Sequence, residues 1–317
     1  DEDVLENFGV DIRGIKPRQV ENYDIQEDEK YKFFTDEWGF EWRMPKKGGH
    51  YYDIVSSPLS GDIGIKDIEN FDWPDPMDPR RVDGLAEEAE KIKSRSKGLI
   101  MNHWVWGIFE LASWLRGPEQ FYKDLVMNQD LANCLLDEVL DRKLEFWGMA
   151  LAEIGDKVDV IKQNDDLGGQ DNLLMSPDMY RKFLKPRHKK IFDFLKQNSG
   201  ARIFLHSCGA IYEIIPDLIE SGVDILNPVQ LSAGGMEAGK LKREFGDDLT
   251  FWGGGIDTQV TLPRGSEEEV RNEVRRNIET FAPGGGFVFS TIHNIQSDVP
   301  PENIVAMLET FNEYASY

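Results

Sequence analysis

From residue 97 onward, apolar runs of strand length recur along the chain: GLIMNH (98–103), VDVIKQ (158–163), RIFLHS (202–207), VDILNP (223–228), LTFWGG (249–254) and GFVFST (286–291). Between them, apolar residues fall at helical spacing in FELASWLRG, PEQFYKDLV and the long LANCLLDEVLDRKLEFWGMALAEIG. Two helices announce their starts. Ser176-Pro177-Asp178 is a cap followed by proline, and Ser266 with Glu269 has the spacing of a capping box. Strands alternating with helices predict parallel βαβ units, and this many in one chain predict a (β/α)8 barrel. No GxGxxG opens a first βα turn, and Gly253-Gly254-Gly255 does not start a helix, which disfavours a dinucleotide-binding sheet.

The first ninety-odd residues follow a different pattern. They are aromatic and charged, with DEWGFEWR at 36–43 and the turn-rich WPDPMDP at 73–79. FEWRMP and HYYDIV read as a hairpin around KKGG, and a helix is expected at about 80–95. Residues 1–96 are thus an irregular N-terminal extension of the same domain, suited to a lid or a homodimer surface, and 97–317 are the barrel body. The chain begins DEDVLENFGV without an initiator methionine and reads as incomplete at its N-terminus.

Composition narrows the function. The net charge of -22 repels phosphate backbones and anionic membrane surfaces, so nucleic-acid and membrane-surface roles are disfavoured. No apolar stretch has the length of a membrane span, and no secretory signal is visible. Two cysteines in 317 residues argue against a disulfide framework and for a reducing compartment, the cytoplasm.

The chemistry gathers where strands end, which in a (β/α)8 barrel is one mouth. In chain order the ends are Asn102-His103, Gln163-Asn164-Asp165-Asp166, His206-Ser207-Cys208, Asn227-Pro228-Val229-Gln230, Gly254-Gly255-Ile256-Asp257 and Thr291-Ile292-His293-Asn294. Residues i and i+2 of a strand point the same way, so His206 and Cys208 would face one point. Imidazole and thiol are zinc ligands; a third protein ligand would leave one position open. His293 is the expected third, with Asp165 or Asp166 in reserve. The bland alternative makes Cys208 a small strand-end hydrophobe and His206 a loop anchor. Adjacent carboxylates at 165 and 166 can raise one another's pKa and serve as acid, base or orienting group, or one can cap a loop. Gly168-Gly169 permits close backbone approach. His103 and Trp106 would form a polar tip and aromatic wall, with Trp as core filler the alternative. Asp257 faces a ligand or anchors its loop. Cys134, within an amphipathic helix, reads as core.

QNDDLGGQ, FLHSCG, VDILNPVQ, FWGGGIDTQ and HNIQSDVPPENIVAML together resemble the uroporphyrinogen decarboxylase superfamily over about residues 97–317. The resemblance implies a (β/α)8 barrel with its site at the C-terminal strand ends. One branch, the decarboxylases proper, is metal-free and grips a carboxylate-rich tetrapyrrole through an N-terminal arginine-rich segment; no such stretch is present. The other, the cobamide-dependent methyltransferases, carries an HxC pair at the same strand end. It implies Zn2+, a methylcobamide corrinoid on a partner protein, and a small methylated substrate or methyl acceptor. Where thiol-activating members have a cysteine in a GCG-like stretch, this chain has His293 in TIHNI.

The expectation is therefore a zinc-containing methyltransferase with metal ligands His206, Cys208 and His293. Asp165, Asp166 and His103 would be catalytic, and Trp106, Asn164, Gln230 and Asp257 would bind substrate. A metal-free tetrapyrrole decarboxylase and a non-catalytic corrinoid- or ligand-binding barrel are the alternatives.

Overall fold

The computed structural model describes residues 2–21 and 23–315. Eleven strands occur among them: β1 (Ile12–Ile15), β2 (Gln26–Glu27), β3 (Tyr31–Thr35), β4 (Glu41–Pro45), β5 (Asp53–Ser56), β6 (Gly98–Met101), β7 (Val160–Asn164), β8 (Arg202–His206), β9 (Ile225–Asn227), β10 (Thr250–Trp252) and β11 (Phe287–Val288). Each of the eight runs read as strands forms one. Seven strands make a parallel sheet in the order β1-β6-β7-β8-β9-β10-β11, with helices in the connections. No eighth strand closes the ring among the described residues. The stretch after β11, FSTIHNIQSDVP, runs without strand through bends and a turn up to the helix Pro301–Tyr314. The sheet also begins earlier than the sequence suggests, because β1 pairs with β6 from within the first ninety residues.

Side chains alternate across this sheet as the pleat requires. Ile161, Gln163, Ile203, Leu205, Leu226 and Phe251 are buried against the helices; Gln163 and Leu205, for instance, meet Ile108, His188, Ile191 and Phe192 around a small cavity. The opposite parity (Ile100, Val160, Lys162, Phe204, Ile225, Trp252 and Val288) lines the concave face. Helix starts fall where expected: Ser176 Oγ accepts the amide hydrogen of Met179, and Ser266 exchanges bonds with Glu269.

The second sheet is antiparallel, β2-β3-β4-β5, and contains the expected hairpin. DEWGFEWR forms its β3–β4 turn. Buried Asp36 accepts the amides of Trp38 and Phe40 and the indole N–H of Trp42 at 2.7 Å. Aromatic content then finds its reason. Trp38 packs on Trp104 with centroids 5.4 Å apart, and Trp42 on Trp106 at 5.5 Å. These pairs join the small sheet to the loop after β6. Arg81 locks the joint. Its guanidinium is almost wholly buried, donates twice to Glu37 (2.6 and 3.1 Å) and once to the Asp75 carbonyl, and lies 4.5 Å over the Trp104 ring. No helix among the described residues is long and apolar enough to cross a membrane.

Arg81→Met would strand the Glu37 carboxylate in this joint. Loss of a partner from a buried pair costs about 3–5 kcal/mol, so denaturant unfolding should show a drop of that order; a change under about 1 kcal/mol would show that the joint contributes little.

Candidate functional site

Asp165 and Asp166 follow β7, and the chain turns them in opposite directions. Asp165 is fully buried. It accepts the amide hydrogens of Phe109 (3.0 Å) and Glu110 (2.9 Å) in the first turn of the helix Ile108–Arg116, and a ring N–H of His188 at 2.9 Å. Free amides at a helix N-terminus require acceptors, and negative charge there is favourable. Gly107 admits the close approach, since a Cβ there would lie 2.2 Å from Asp165 Oδ1. The Tyr180 hydroxyl sits 3.2 Å from the other nitrogen of His188. Both oxygens of Asp165, one of the expected catalytic groups, are thus engaged by the helix N-terminus and His188.

Asp166 faces the mouth. Its Oδ1 accepts the Cys208 amide at 2.8 Å and lies 3.9 Å from His206 Nε2, while Cys208 Sγ is 3.4 Å from the same nitrogen. The i, i+2 pair therefore converges, and one ligand atom each from Asp166, His206 and Cys208 fits within 4.8 Å. Glycines bring the two loops together: a Cβ on Gly209, whose φ is +85°, would lie 2.4 Å from the Gly168 carbonyl carbon. His293, the expected third ligand, is not in this group; it sits exposed on the loop after β11, near enough to His206 for the two rings to repel as cations.

Asn227 sets the tautomer of His206. Its Nδ2 donates to the Trp252 carbonyl at 2.8 Å, and a carbonyl can only accept. Asn227 therefore presents Oδ1 to His206 Nδ1, 2.5 Å away, and that nitrogen carries the proton. Nε2 is left as a lone pair aimed at Cys208 and Asp166, the arrangement a metal-ligating histidine requires. Burial pushes the Cys208 thiol up to about 12, with Asp166 and Glu110 adding repulsion. Burial also lowers the His206 ring, with Lys162 and His293 acting the same way and Asp166 and Asn227 opposing. Neutral imidazole, thiol and a carboxylate at one point form a donor set that suits Zn2+.

The remaining expected residues divide. His103 is half-buried beside the mouth; burial, then Lys143, Lys162 and His206, hold its ring down to about 3, and its Nδ1 has no partner among the described residues. Trp106 is taken up between Trp42 and Trp114 in the joint with the small sheet. Asn164 is buried and donates to Glu110 at 2.6 Å. Gln230 braces the ligand loop by accepting the Gly209 amide at 2.9 Å. Asp257 accepts the amides of Gln259 and Val260 through Oδ1, and its Oδ2 is unpartnered among the described residues.

Four contributors escaped the sequence reading. Burial, Asp165 and Asp166 push the Glu110 carboxyl up to about 8. Burial brings the Lys143 ammonium down to about 8, and it donates to the Val105 and Trp106 carbonyls. His188 reads as an ordinary helix residue, and Lys162 is hidden inside an apolar strand.

The chain has relatives. The family model described as uroporphyrinogen decarboxylase (URO-D) matches residues 50–314, and the chain belongs to that family. The methylcobamide:CoM methyltransferase of Methanosarcina barkeri is 29% identical over 212 residues, covering 66% of this chain and 56% of the relative, so the match spans little more than half of that protein. A uroporphyrinogen decarboxylase of Thermus thermophilus is 23% identical over 274 residues, covering 83% of this chain and 72% of its own. Among solved structures, a methyltransferase from Methanosarcina mazei superposes with a TM-score of 0.66 at 21% identity, covering 88% of this chain and 77% of that one.

Two measurements follow from the geometry. Asp165→Ala leaves two amides and His188 unpaired and should cost about 3–5 kcal/mol of stability; Asp166→Asn should shift unfolding by less than about 1 kcal/mol. Equal losses in both would contradict the division of labour. The second concerns pH. Because the folded Glu110 value of about 8 lies above the ordinary 4.5, the neutral acid stabilises the fold below the ordinary value. That contribution is lost as pH rises through about 8. Glu110→Gln keeps the acceptor for Asn164, so its Tm advantage over wild type should grow between pH 5 and 8 and then level off. A constant gap would show that Glu110 ionises freely.

Proposed function

We propose that this chain is a zinc-dependent methyltransferase that exchanges a methyl group between a small substrate or acceptor and a corrinoid protein. The observation that carries the reading is the convergence of Asp166, His206 and Cys208 at the strand ends, with the His206 lone pair aimed inward by Asn227. Methyltransferases among the relatives support it. Asp166, His206 and Cys208 would hold the metal, and His293 remains on the rim. Zinc bound there supplies positive charge that lowers the pKa of a thiol beside it, which makes a thiol the natural acceptor.

The chain's own groups set the geometry. Asn227 fixes the imidazole, the Cys208 amide orients the Asp166 carboxylate, and Gln230 with Gly168 and Gly209 keeps the two loops in register. His103, neutral at physiological pH, offers a hydrogen-bonding edge beside the site without adding charge. The corrinoid partner would approach the open strand ends, where the methyl group has a path to the acceptor.

Elemental analysis with a methyl-transfer assay tests this. Wild type should hold one zinc per chain and transfer methyl from methylcobalamin to a small thiol. Cys208→Ser, His206→Ala and Asp166→Asn should each lose most of the metal and at least about a hundredfold in rate, whereas His293→Ala should keep its zinc. Zinc lost in His293→Ala would restore His293 as the third ligand. A wild type that stays metal-free in added zinc would overturn the reading in favour of a metal-free decarboxylase, and zinc binding without turnover would favour a non-catalytic barrel.

A further inference from the structure

His206 and Cys208 turn their side chains toward one point, while Ser207, the residue between them, is buried. A hydroxyl in that position is costly unless it is hydrogen-bonded, and an apolar side chain would fill the space without that cost. Its bond is to the other ligand-bearing segment: Ser207 Oγ accepts the amide hydrogen of Leu167, the residue after Asp166, at 3.1 Å. Leu167 is itself buried, and its amide meets no other acceptor among the described residues.

Three bonds in close succession join the segment after β7 to the end of β8 and the residues that follow it. The Asp165 amide donates to the His206 carbonyl at 2.9 Å, the Leu167 amide to Ser207 Oγ, and the Cys208 amide to Asp166 Oδ1 at 2.8 Å. The first two bracket Asp166 along the backbone, one on each side, and the third engages its carboxylate. They differ in what supplies the acceptor. A main-chain carbonyl is present whatever residue occupies position 206, whereas the acceptor for Leu167 exists only because position 207 carries a hydroxyl. Ser207 is held in turn by its own amide, which donates to the Asn227 carbonyl at 2.8 Å. Beyond Leu167 the segments run in direct backbone contact, since a Cβ on Gly168 would lie 2.8 Å from the Cys208 carbonyl oxygen. An orphaned Leu167 amide would have to turn toward another acceptor and carry Asp166 with it. Metal–ligand distances tolerate only about 0.2 Å, so a small displacement removes a carboxylate from a shared ion. We infer that Ser207 is a positioning residue: acting through Leu167, it keeps Asp166 within reach of the ion that His206 and Cys208 would share. The inference rests on the zinc reading above and deepens it by assigning the support of the oxygen ligand.

Zinc affinity, measured by competition with a chromophoric chelator, tests this beside the absorption spectrum of the Co2+-loaded protein. Ser207→Ala should weaken zinc binding about ten- to a hundredfold. Added to Asp166→Asn, the same change should cost less than about twofold more, because the group it positions is already lost. Ser207→Thr and Ser207→Val share a shape and differ in the hydroxyl, so Thr should bind as wild type does and Val as Ser207→Ala does. With Co2+, Ser207→Ala should keep the sulfur-to-metal charge-transfer band of Cys208 and alter the d–d bands, which report the lost oxygen. The Tm of each metal-free variant is recorded alongside. A serine that merely satisfied the Leu167 amide would lower that Tm on Ser207→Ala and leave zinc affinity where it was, which would overturn the inference. An equal loss of affinity in the Asp166→Asn background overturns it too, as does equal binding by the Thr and Val variants. A wild type that binds no zinc brings down the zinc reading and this inference with it, whereas tight wild-type binding that Ser207→Ala leaves unchanged overturns the inference alone.

Discussion

The carboxylate of Asp165 fixes the geometry of the mouth. It accepts two amides of the helix Ile108–Arg116 and a proton of His188 on the helix Lys185–Asn198, and it lies at the end of β7. Two helices and a strand are thereby held at one buried point, where an unmet donor would cost the full desolvation of its group. Gly107 exists because the contact leaves no room for a Cβ. Once Asp165 is pinned, the next residue must emerge on the other side of the chain. Asp166 does so, beside His206 and Cys208.

A second layer of constraint runs sideways. Asn227 at the end of β9 reads the Trp252 carbonyl of β10 and passes that polarity to His206 on β8. Three neighbouring strands thus determine which imidazole nitrogen is free. Below this polar rim the concave face carries Phe204 and Ile225 beside Lys162 and Thr250.

Much of this was legible in the sequence. The six strands from residue 98 onward were visible because each is a short apolar run ending in polar residues, and His206 with Cys208 followed from the two-residue period of a strand. The hairpin around KKGG was equally plain. By contrast, β1 carries Arg13 and Gly14, and β2–β3 mix charge with aromatics, so neither shows a clean period. The two aspartates are indistinguishable by type; only the tertiary approach of a helix N-terminus separates them. His293 matched the expected strand end, but β11 is two residues long and the following loop leaves the ring at the rim. The packing of Trp106 on Trp42 was not legible, because nothing in the sequence announced that the small sheet would reach it.

The proposed zinc would be held by one sulfur from Cys208, one nitrogen from His206 and one oxygen from Asp166. X-ray absorption at the zinc edge of the loaded protein, recorded without added thiol, tests it most directly. One sulfur scatterer at about 2.3 Å with nitrogen and oxygen neighbours at about 2.0–2.2 Å is the predicted spectrum, and Cys208→Ser should remove the sulfur shell. Two or more sulfur neighbours, or none, would contradict the assignment.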